Sequence, residues 1–464
     1  MQTALLVAVA ASATAILVGS TEHWGLGVSY DSVVYVQASR HLGSIALPQP
    51  RDHGGQALYW WAPVYPVVLK AFGGSYSGAR VLSVLLLVVG ALLVGVVAWK
   101  SMGSLAGPIA GALYAFSPAV FSAHLNLLAE PLYLVLAVAS LALIAARRAT
   151  LGGLVTAAAV LTRYAGLPLI AVGALLLRGR DRLRFLVTSL AIYLAWLIRN
   201  EIAAGQTTGR QFRWHPPSES AVADGWHAFV HLFITSGHLP TIPFSGAGLL
   251  VQLSAAAALV AAVVLGERRD PPRIVTAGVS YAILYCAFLV VTVAWFDAGT
   301  PLNERLLVPV VPSIVFALAW LVRSMPIVAV VLVGAFAVAT VQQARTVSIY
   351  GLDYSGKTWS AARITAASLP AVPLYSNWPA AVAYFTGRSP QRLPARIDPH
   401  TLAANQDYEA EMKQLASNVH RGRAALVVLN DDFLQIPRSG TPITQTPAYR
   451  KLCHPLTDVV DLCQ

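Results

Sequence analysis

Residues 81–99 read VLSVLLLVVGALLVGVVAW, a stretch without a single charge, bounded by Arg80 and Lys100. A helix needs roughly 20 apolar residues to cross a bilayer, and the run at about 79–99 supplies them. Ten further apolar runs lie at about 3–19, 105–122, 131–146, 151–162, 165–177, 185–199, 247–266, 274–295, 306–322 and 326–342. The pattern predicts an α-helical polytopic membrane protein with about eleven transmembrane helices. The runs at 151–162 and 165–177 are short for full spans and read as a helical hairpin turning at Thr162–Gly166.

Composition agrees. The chain has 464 residues, 56% hydrophobic and 11% charged, with mean hydropathy +0.62. A soluble domain carries about 25% charged residues, so this chain lacks the polar surface to cover itself in water. The formal charge of +11 raises the question of nucleic acid, and its distribution answers it. Basic residues form short clusters between apolar runs: Lys100, Arg147 with Arg148, Arg178 to Arg184, Arg268, Arg269 and Arg273, then Arg323. No basic stripe is interleaved with aromatics, as a nucleic-acid platform requires.

With a cytoplasmic amino terminus, eleven alternating spans bring every one of these clusters to the cytoplasmic side, as insertion prefers. The run 3–19 has no preceding Lys or Arg and reads as an uncleaved first helix rather than a signal peptide. The reading is thus a multi-pass protein of the cytoplasmic (inner) membrane. Its domain 1–342 carries external loops at about 20–78 and 200–246, and an extracytoplasmic carboxyl-terminal domain spans 343–464.

The first loop holds Tyr59, Trp60, Trp61 and Tyr65 beside Pro63 and Pro66, an aromatic cluster of the kind that favours the headgroup layer. Residues 31–42 place Val34, Ala38 and Leu42 on one helical face and read as a membrane-surface helix. The carboxyl-terminal segment alternates strand-like runs, Val372–Tyr375 and Ala424–Leu429, with helical stretches at 378–386 and 401–417. That is the pattern of a small α/β domain. Its twelve basic residues nearly balance nine acidic ones, so it is not a charged arm. Cys286 lies in an apolar run, whereas Cys453 and Cys463 lie in this tail and form a candidate disulfide if the tail meets an oxidising compartment.

Chemistry must come from the few charges outside the cytoplasmic clusters: Asp31, Glu130, Arg163, Arg199, Asp297, Glu304 and Arg305. All fall in external loops or at external helix ends, while the span interiors are nearly free of charge. Transporters place ionisable groups inside their spans, so this layout favours a reaction site at the outer surface. Asp31 taken alone reads first as a solvated loop carboxylate or a helix cap. Glu130, beside Pro131, also suits a helix start, yet a carboxylate in so apolar a connection is costly without a partner. Arg163 and Arg305 suit either headgroup snorkelling or paired hydrogen bonds to phosphate. His227 and His231 stand at i, i+4 with no acid at zinc-site spacing, and neither a P-loop, a dinucleotide fingerprint nor a Gly-x-Ser-x-Gly elbow occurs.

Taken in order, these stretches resemble the GT-C superfamily of membrane glycosyltransferases that use polyprenyl-phosphate sugars. Tyr30-Asp31-Ser32, followed by Tyr35, Ala38, Leu42, Gly43 and Trp61-Ala62-Pro63-Val64-Tyr65-Pro66, is similar to the acidic first loop of protein O-mannosyltransferases and lipid A aminoarabinose transferases. Ala129-Glu130-Pro131-Leu132 resembles that group's second acidic site. Leu161-Thr162-Arg163-Tyr164-Ala165-Gly166 and Glu304-Arg305-Leu306-Leu307-Val308-Pro309 resemble two further recurring stretches. Leu374-Tyr375-Ser376-Asn377-Trp378-Pro379, running on to Tyr384-Phe385-Thr386-Gly387-Arg388, is similar to the external domain of bacterial relatives.

The resemblance implies inverting transfer of a sugar from a polyprenyl-phosphate donor to a hydroxyl of a protein, lipid or glycan, with membrane lipid as the surrounding partner and no nucleic acid. Asp31 and Glu130 would be the catalytic acids and Arg163 and Arg305 the donor-phosphate ligands. Tyr30, Tyr65 and Tyr164 would form the cavity wall. Many relatives carry two adjacent acids where this chain has Asp31-Ser32, so an acidic metal-binding pair is not expected and divalent-metal dependence stays open. A lipid or polysaccharide transporter without transferase activity is the rival class. It calls for internal repeats or helices broken at matching positions in two halves, which the chain does not show.

Overall fold

The computed structural model describes residues 2–43, 58–210, 212–214, 216, 219–234, 270–297, 300, 302–396, 404–429, 453–457 and 460–463. Ten of the eleven apolar runs fold as helices; the run at 247–266 lies outside the described residues. In chain order the helices of the amino-terminal half are α1 (Gln2–Ser20), α2 (Tyr30–Arg40), α3 (Val64–Ala71), α4 (Tyr76–Met102), α5 (Ala106–Ala115), α6 (Pro118–Leu125), α7 (Glu130–Ala145), α8 (Ala149–Val160), α9 (Leu167–Leu176) and α10 (Gly179–Ala204). Then follow α11 (Glu219–Ile234), α12 (Arg273–Trp295), a helical stretch α13 (Glu304–Val322) and α14 (Pro326–Tyr350). Six of these are long and apolar enough to cross a membrane. They turn large apolar side chains outward, as Leu183, Leu194, Ile198 and Ile202 on α10 do, which suits lipid as solvent. The chain is a multi-pass membrane protein.

The run at 105–122 is a bent pair rather than one straight span. Ser117 caps α6, Pro118 cannot extend α5, and the chain turns by 50° between the two. The Phe116 carbonyl freed by the break accepts from Thr340 Oγ1 on α14 at 2.7 Å. The short pair α8–α9 confirms the expected hairpin. Its turn needs Gly166, where a Cβ would meet the backbone of Val160 at 3.0 Å.

The tail is a small α/β unit. Strands β1 (Leu374–Ser376), β2 (Gln391–Arg392), β3 (Ala425–Leu429), β4 (Cys453–Thr457) and β5 (Val460–Cys463) form one sheet of order β2-β1-β3-β5-β4, with β1 parallel to β2 and β3 and with β5 antiparallel to both its neighbours. Helices α15 (Pro379–Thr386) and α16 (Tyr408–His420) connect them. Cys463 is disulfide-bonded and stands opposite Cys453 in the β4–β5 register, while Cys286 is free. The last long helix runs to Tyr350, eight residues past the expected boundary at 342.

The first loop is where the two units meet. Gly27 pairs with Asn126 and Val28 with Asp353 in short parallel bridges. The Tyr354 amide donates to the Val28 carbonyl at 3.0 Å, and Ser355 Oγ donates to the Leu26 carbonyl at 2.9 Å. This corrects the reading of residues 31–42 as a surface helix with one apolar face. In α2, Val33 joins the tail core with Tyr354, Leu374 and Ala381, while Tyr35 and Val36 join a core with Tyr65, Leu69 and Leu82. Apolar residues on both sides of the helix find protein, so α2 is wedged between two cores.

Candidate active site

Four helix ends converge at the tail side of the bundle. Asp31 opens α2, Glu130 opens α7, Arg305 lies in the first turn of α13, and Arg163 sits in extended backbone between α8 and the 3-10 turn Tyr164–Gly166. Their positions follow from local rules. Asn303 Oδ1 accepts from the Leu306 amide and caps the turn that carries Arg305. Pro131 starts α7, so Glu130 stands where a carboxylate meets the positive end of the helix dipole.

The structure brings Asp31, Glu130, Arg163 and Arg305 into one cluster. Arg305 bridges the two acids: its Nη2 donates to Asp31 Oδ2 at 2.5 Å and its Nε donates to Glu130 Oε1. Arg163 Nη1 pairs with the same Glu130 oxygen at 2.6 Å. The charges cancel, two against two. Glu130 is fully buried and Arg163 nearly so, whereas the Asp31 side chain is 25% and the Arg305 side chain 35% exposed. The exposed pair is therefore the one a ligand can reach, and the buried pair supports it from below. Glu130 Oε2 has no hydrogen-bond partner among the described residues.

Trp61 completes the Asp31 environment by donating Nε1–H to Oδ1 at 3.2 Å. Burial would raise the Asp31 pKa, but the Arg305 charge, with hydrogen bonds from Arg305 and Trp61, holds the carboxyl below the ordinary carboxylate range. Ser32, the residue that departs from an acidic pair, is fully buried. Its Oγ accepts from the Ser29 amide at 2.9 Å and donates to the Leu127 carbonyl at 2.7 Å. Position 32 ties α2 to the α6–α7 connection, and a second carboxylate there would face a carbonyl oxygen.

The three tyrosines expected at a cavity wall occupy different places. Tyr30 stands at the rim, half exposed, its ring 6.0 Å from Trp61. Tyr65 is 3% exposed and packs edge-on against Tyr35 at 4.9 Å, so it is core behind α2 rather than wall. Tyr164 donates to the Tyr59 carbonyl at 3.0 Å and accepts from Trp196 Nε1 at 2.9 Å. It thereby fastens the aromatic loop to α10. That loop was expected to lie on the headgroups; its Trp61 is instead turned toward the acid.

Of the other charges that the sequence singles out, Asp297 pairs with Arg210 at 3.7 Å, and Arg199 donates to the Leu58 carbonyl and lies over the Trp196 ring. Neither joins the cluster. Among the described residues no three of His, Cys, Asp and Glu come together as a metal-binding group. Sequence reasoning missed Trp61 as an acid partner, although the Trp-Ala-Pro motif was in view. It also missed the buried tyrosines Tyr133, Tyr281 and Tyr285. The i, i+4 repeat of Tyr281 and Tyr285 inside an apolar run was the available signal.

No protein-family model matches the chain, and no curated protein sequence matches it. Solved structures do. ArnT from Cupriavidus metallidurans bound to undecaprenyl phosphate is similar with a TM-score of 0.61 at 14% identity, covering 99% of this chain and 98% of ArnT. The same ArnT in the apo state gives a TM-score of 0.50 at 16% identity over 93% of this chain and 94% of ArnT. An archaeal oligosaccharyltransferase from Archaeoglobus fulgidus gives 0.47 at 12% identity, covering 91% of this chain and 69% of its own. Over nearly the whole of both chains, this chain therefore has the fold of ArnT from Cupriavidus metallidurans.

Proposed function

We propose that the protein is an inverting glycosyltransferase that moves a sugar from a polyprenyl-phosphate donor to an acceptor hydroxyl at the outer face of the cytoplasmic membrane. The observation that carries the reading is the partly exposed Asp31–Arg305 pair, backed by the deeper Glu130–Arg163 pair, in a chain with the ArnT fold. ArnT is described with undecaprenyl phosphate bound, which is the leaving group such a donor would release.

The donor is a phosphate diester with one negative charge. Its phosphate competes with Asp31 for Arg305, a guanidinium suited to paired hydrogen bonds with phosphate oxygens. Asp31, released from its cation, regains proton affinity at the moment the acceptor hydroxyl must lose its proton. The acceptor oxygen attacks the anomeric carbon from the side opposite the phosphate, its proton passes to Asp31, and the bond from the anomeric carbon to the phosphate oxygen breaks. The electron pair leaves with the polyprenyl phosphate, whose added charge Arg305 and Arg163 stabilise. A positioned carboxylate of this kind contributes about 10²–10⁴-fold. Glu130, fully buried, holds the two guanidinium groups and does not meet the acceptor. The reading takes no metal, because two guanidinium groups already oppose the two carboxylates.

The test is transfer of label from a panel of radiolabelled polyprenyl-phosphate sugars, with wild type and Asp31→Asn, each with and without EDTA. Transfer by wild type alone, unchanged by EDTA, is expected. Equal transfer by both proteins would remove Asp31 from the mechanism, and loss with EDTA would overturn the metal-free reading.

A further inference from the structure

Beneath the charged cluster lie three tyrosines, Tyr133, Tyr281 and Tyr285, each fully buried. A hydroxyl in an apolar membrane interior is costly unless it is hydrogen-bonded, and these three have specific partners. Tyr285 Oη donates to the Leu306 carbonyl at 2.8 Å, next to Arg305. Tyr133 Oη donates to the Ala165 carbonyl at 3.4 Å, two residues past Arg163. Tyr133 and Tyr281 join their hydroxyls at 2.6 Å, and the Tyr281 ring packs 5.5 Å from that of Tyr285 on the same helix. With its own proton directed to Ala165, Tyr133 accepts from Tyr281. Tyr133 also lies one turn after Glu130 on α7.

Both carbonyls lie at or beside breaks in regular α-helix. Ala165 is in the 3-10 turn that follows the extended Arg163, and Leu306 precedes the change to a 3-10 turn at Val308–Val310, where Pro309 supplies no amide. A long flexible arginine reads a phosphate well only when its backbone is fixed. We infer that Tyr133, Tyr281 and Tyr285 are positioning residues. They form a hydrogen-bonded floor that holds the segments bearing Arg163 and Arg305 at the spacing the donor phosphate needs. The inference rests on the transferase reading, in which Arg305 takes the phosphate and Arg163, set behind it, adds its charge.

The experiment compares binding of undecaprenyl phosphate and of undecaprenol, the uncharged alcohol, to the purified full chain in detergent. Wild type is compared with Tyr285→Phe, Tyr133→Phe and the double variant, with melting temperature recorded for each. Wild type is expected to prefer the phosphate, and Tyr285→Phe to lose about tenfold of that preference while binding the alcohol unchanged, as loss of an orienting partner does elsewhere. The double variant is expected to lose less than the product of the two single losses, since the two segments share one floor. A floor that merely stabilises the bundle would weaken both lipids together, and a phosphate preference retained in full by Tyr285→Phe would overturn the inference while leaving the arginine reading intact. Wild type without any phosphate preference would overturn both.

Discussion

Asp31 carries two hydrogen bonds that both favour its ionised form, one from Trp61 and one from Arg305. On the proposed reading, that makes it a weak base in the empty site and a stronger one once a donor phosphate takes Arg305. The two states should separate in pH profiles, because kcat/KM reports the free enzyme and kcat the donor complex. Asp31 must be ionised to accept a proton, so activity falls as pH drops through its pKa. In the free enzyme that pKa lies below the ordinary value of 3.8, and in the complex it rises. The acid limb of kcat should therefore stand above that of kcat/KM. Coincident limbs would mean that the donor leaves the Asp31–Arg305 pair in place. Asp31 itself was legible from its loop motif, yet its partners were not. Arg305 is 274 positions away, and no local pattern says which of several cations will fold back onto it.

At the scale of elements, the site depends on a three-way junction before α2. Residues 26–28 lie between the α6–α7 connection and residues 352–355 of the tail, and Gly27 is at the centre. A Cβ at this position would clash with Asn126 Oδ1 and stand 2.7 Å from Leu352 Cβ. Gly27→Ala must therefore turn the Asn126 side chain aside and shift the Leu352 segment of the tail away from the stretch that leads into Asp31. The expected cost is about 1–3 kcal/mol of stability, with a larger proportional fall in transfer than in folded protein. Activity per folded molecule equal to wild type would show that the junction does not set the distance between the acids. Elements of this molecule were readable where periodicity speaks, as with α4 or the α8–α9 hairpin. They were misread where burial comes from a distant segment. Val34, Ala38 and Leu42 suggested one apolar face, whereas Val33 and Val36 face two different cores that only the tertiary fold creates.

For the whole molecule, the tail is joined to the membrane unit through the helix that bears the site. Its core contains Val28 and Val33 of the first loop beside Tyr354, Leu374, Ala381, Val427 and Leu462. The aromatic contacts continue outward from Tyr76 through Tyr384 to Tyr354 and Trp359. Tail and first loop should then open as one unit, since neither buries its apolar side without the other. Val33→Ala removes two methyl groups from this shared core and should destabilise it by about 1–2 kcal/mol. In amide hydrogen exchange, residues 26–36 and strands β1 and β3 should lose protection together, while α4 and α7 keep theirs. The transfer rate should fall in step with the protection of α2, because an opened α2 carries Asp31 away from Arg305. Faster exchange in the strands with α2 unchanged would instead make the tail a separate body that merely rests on the site.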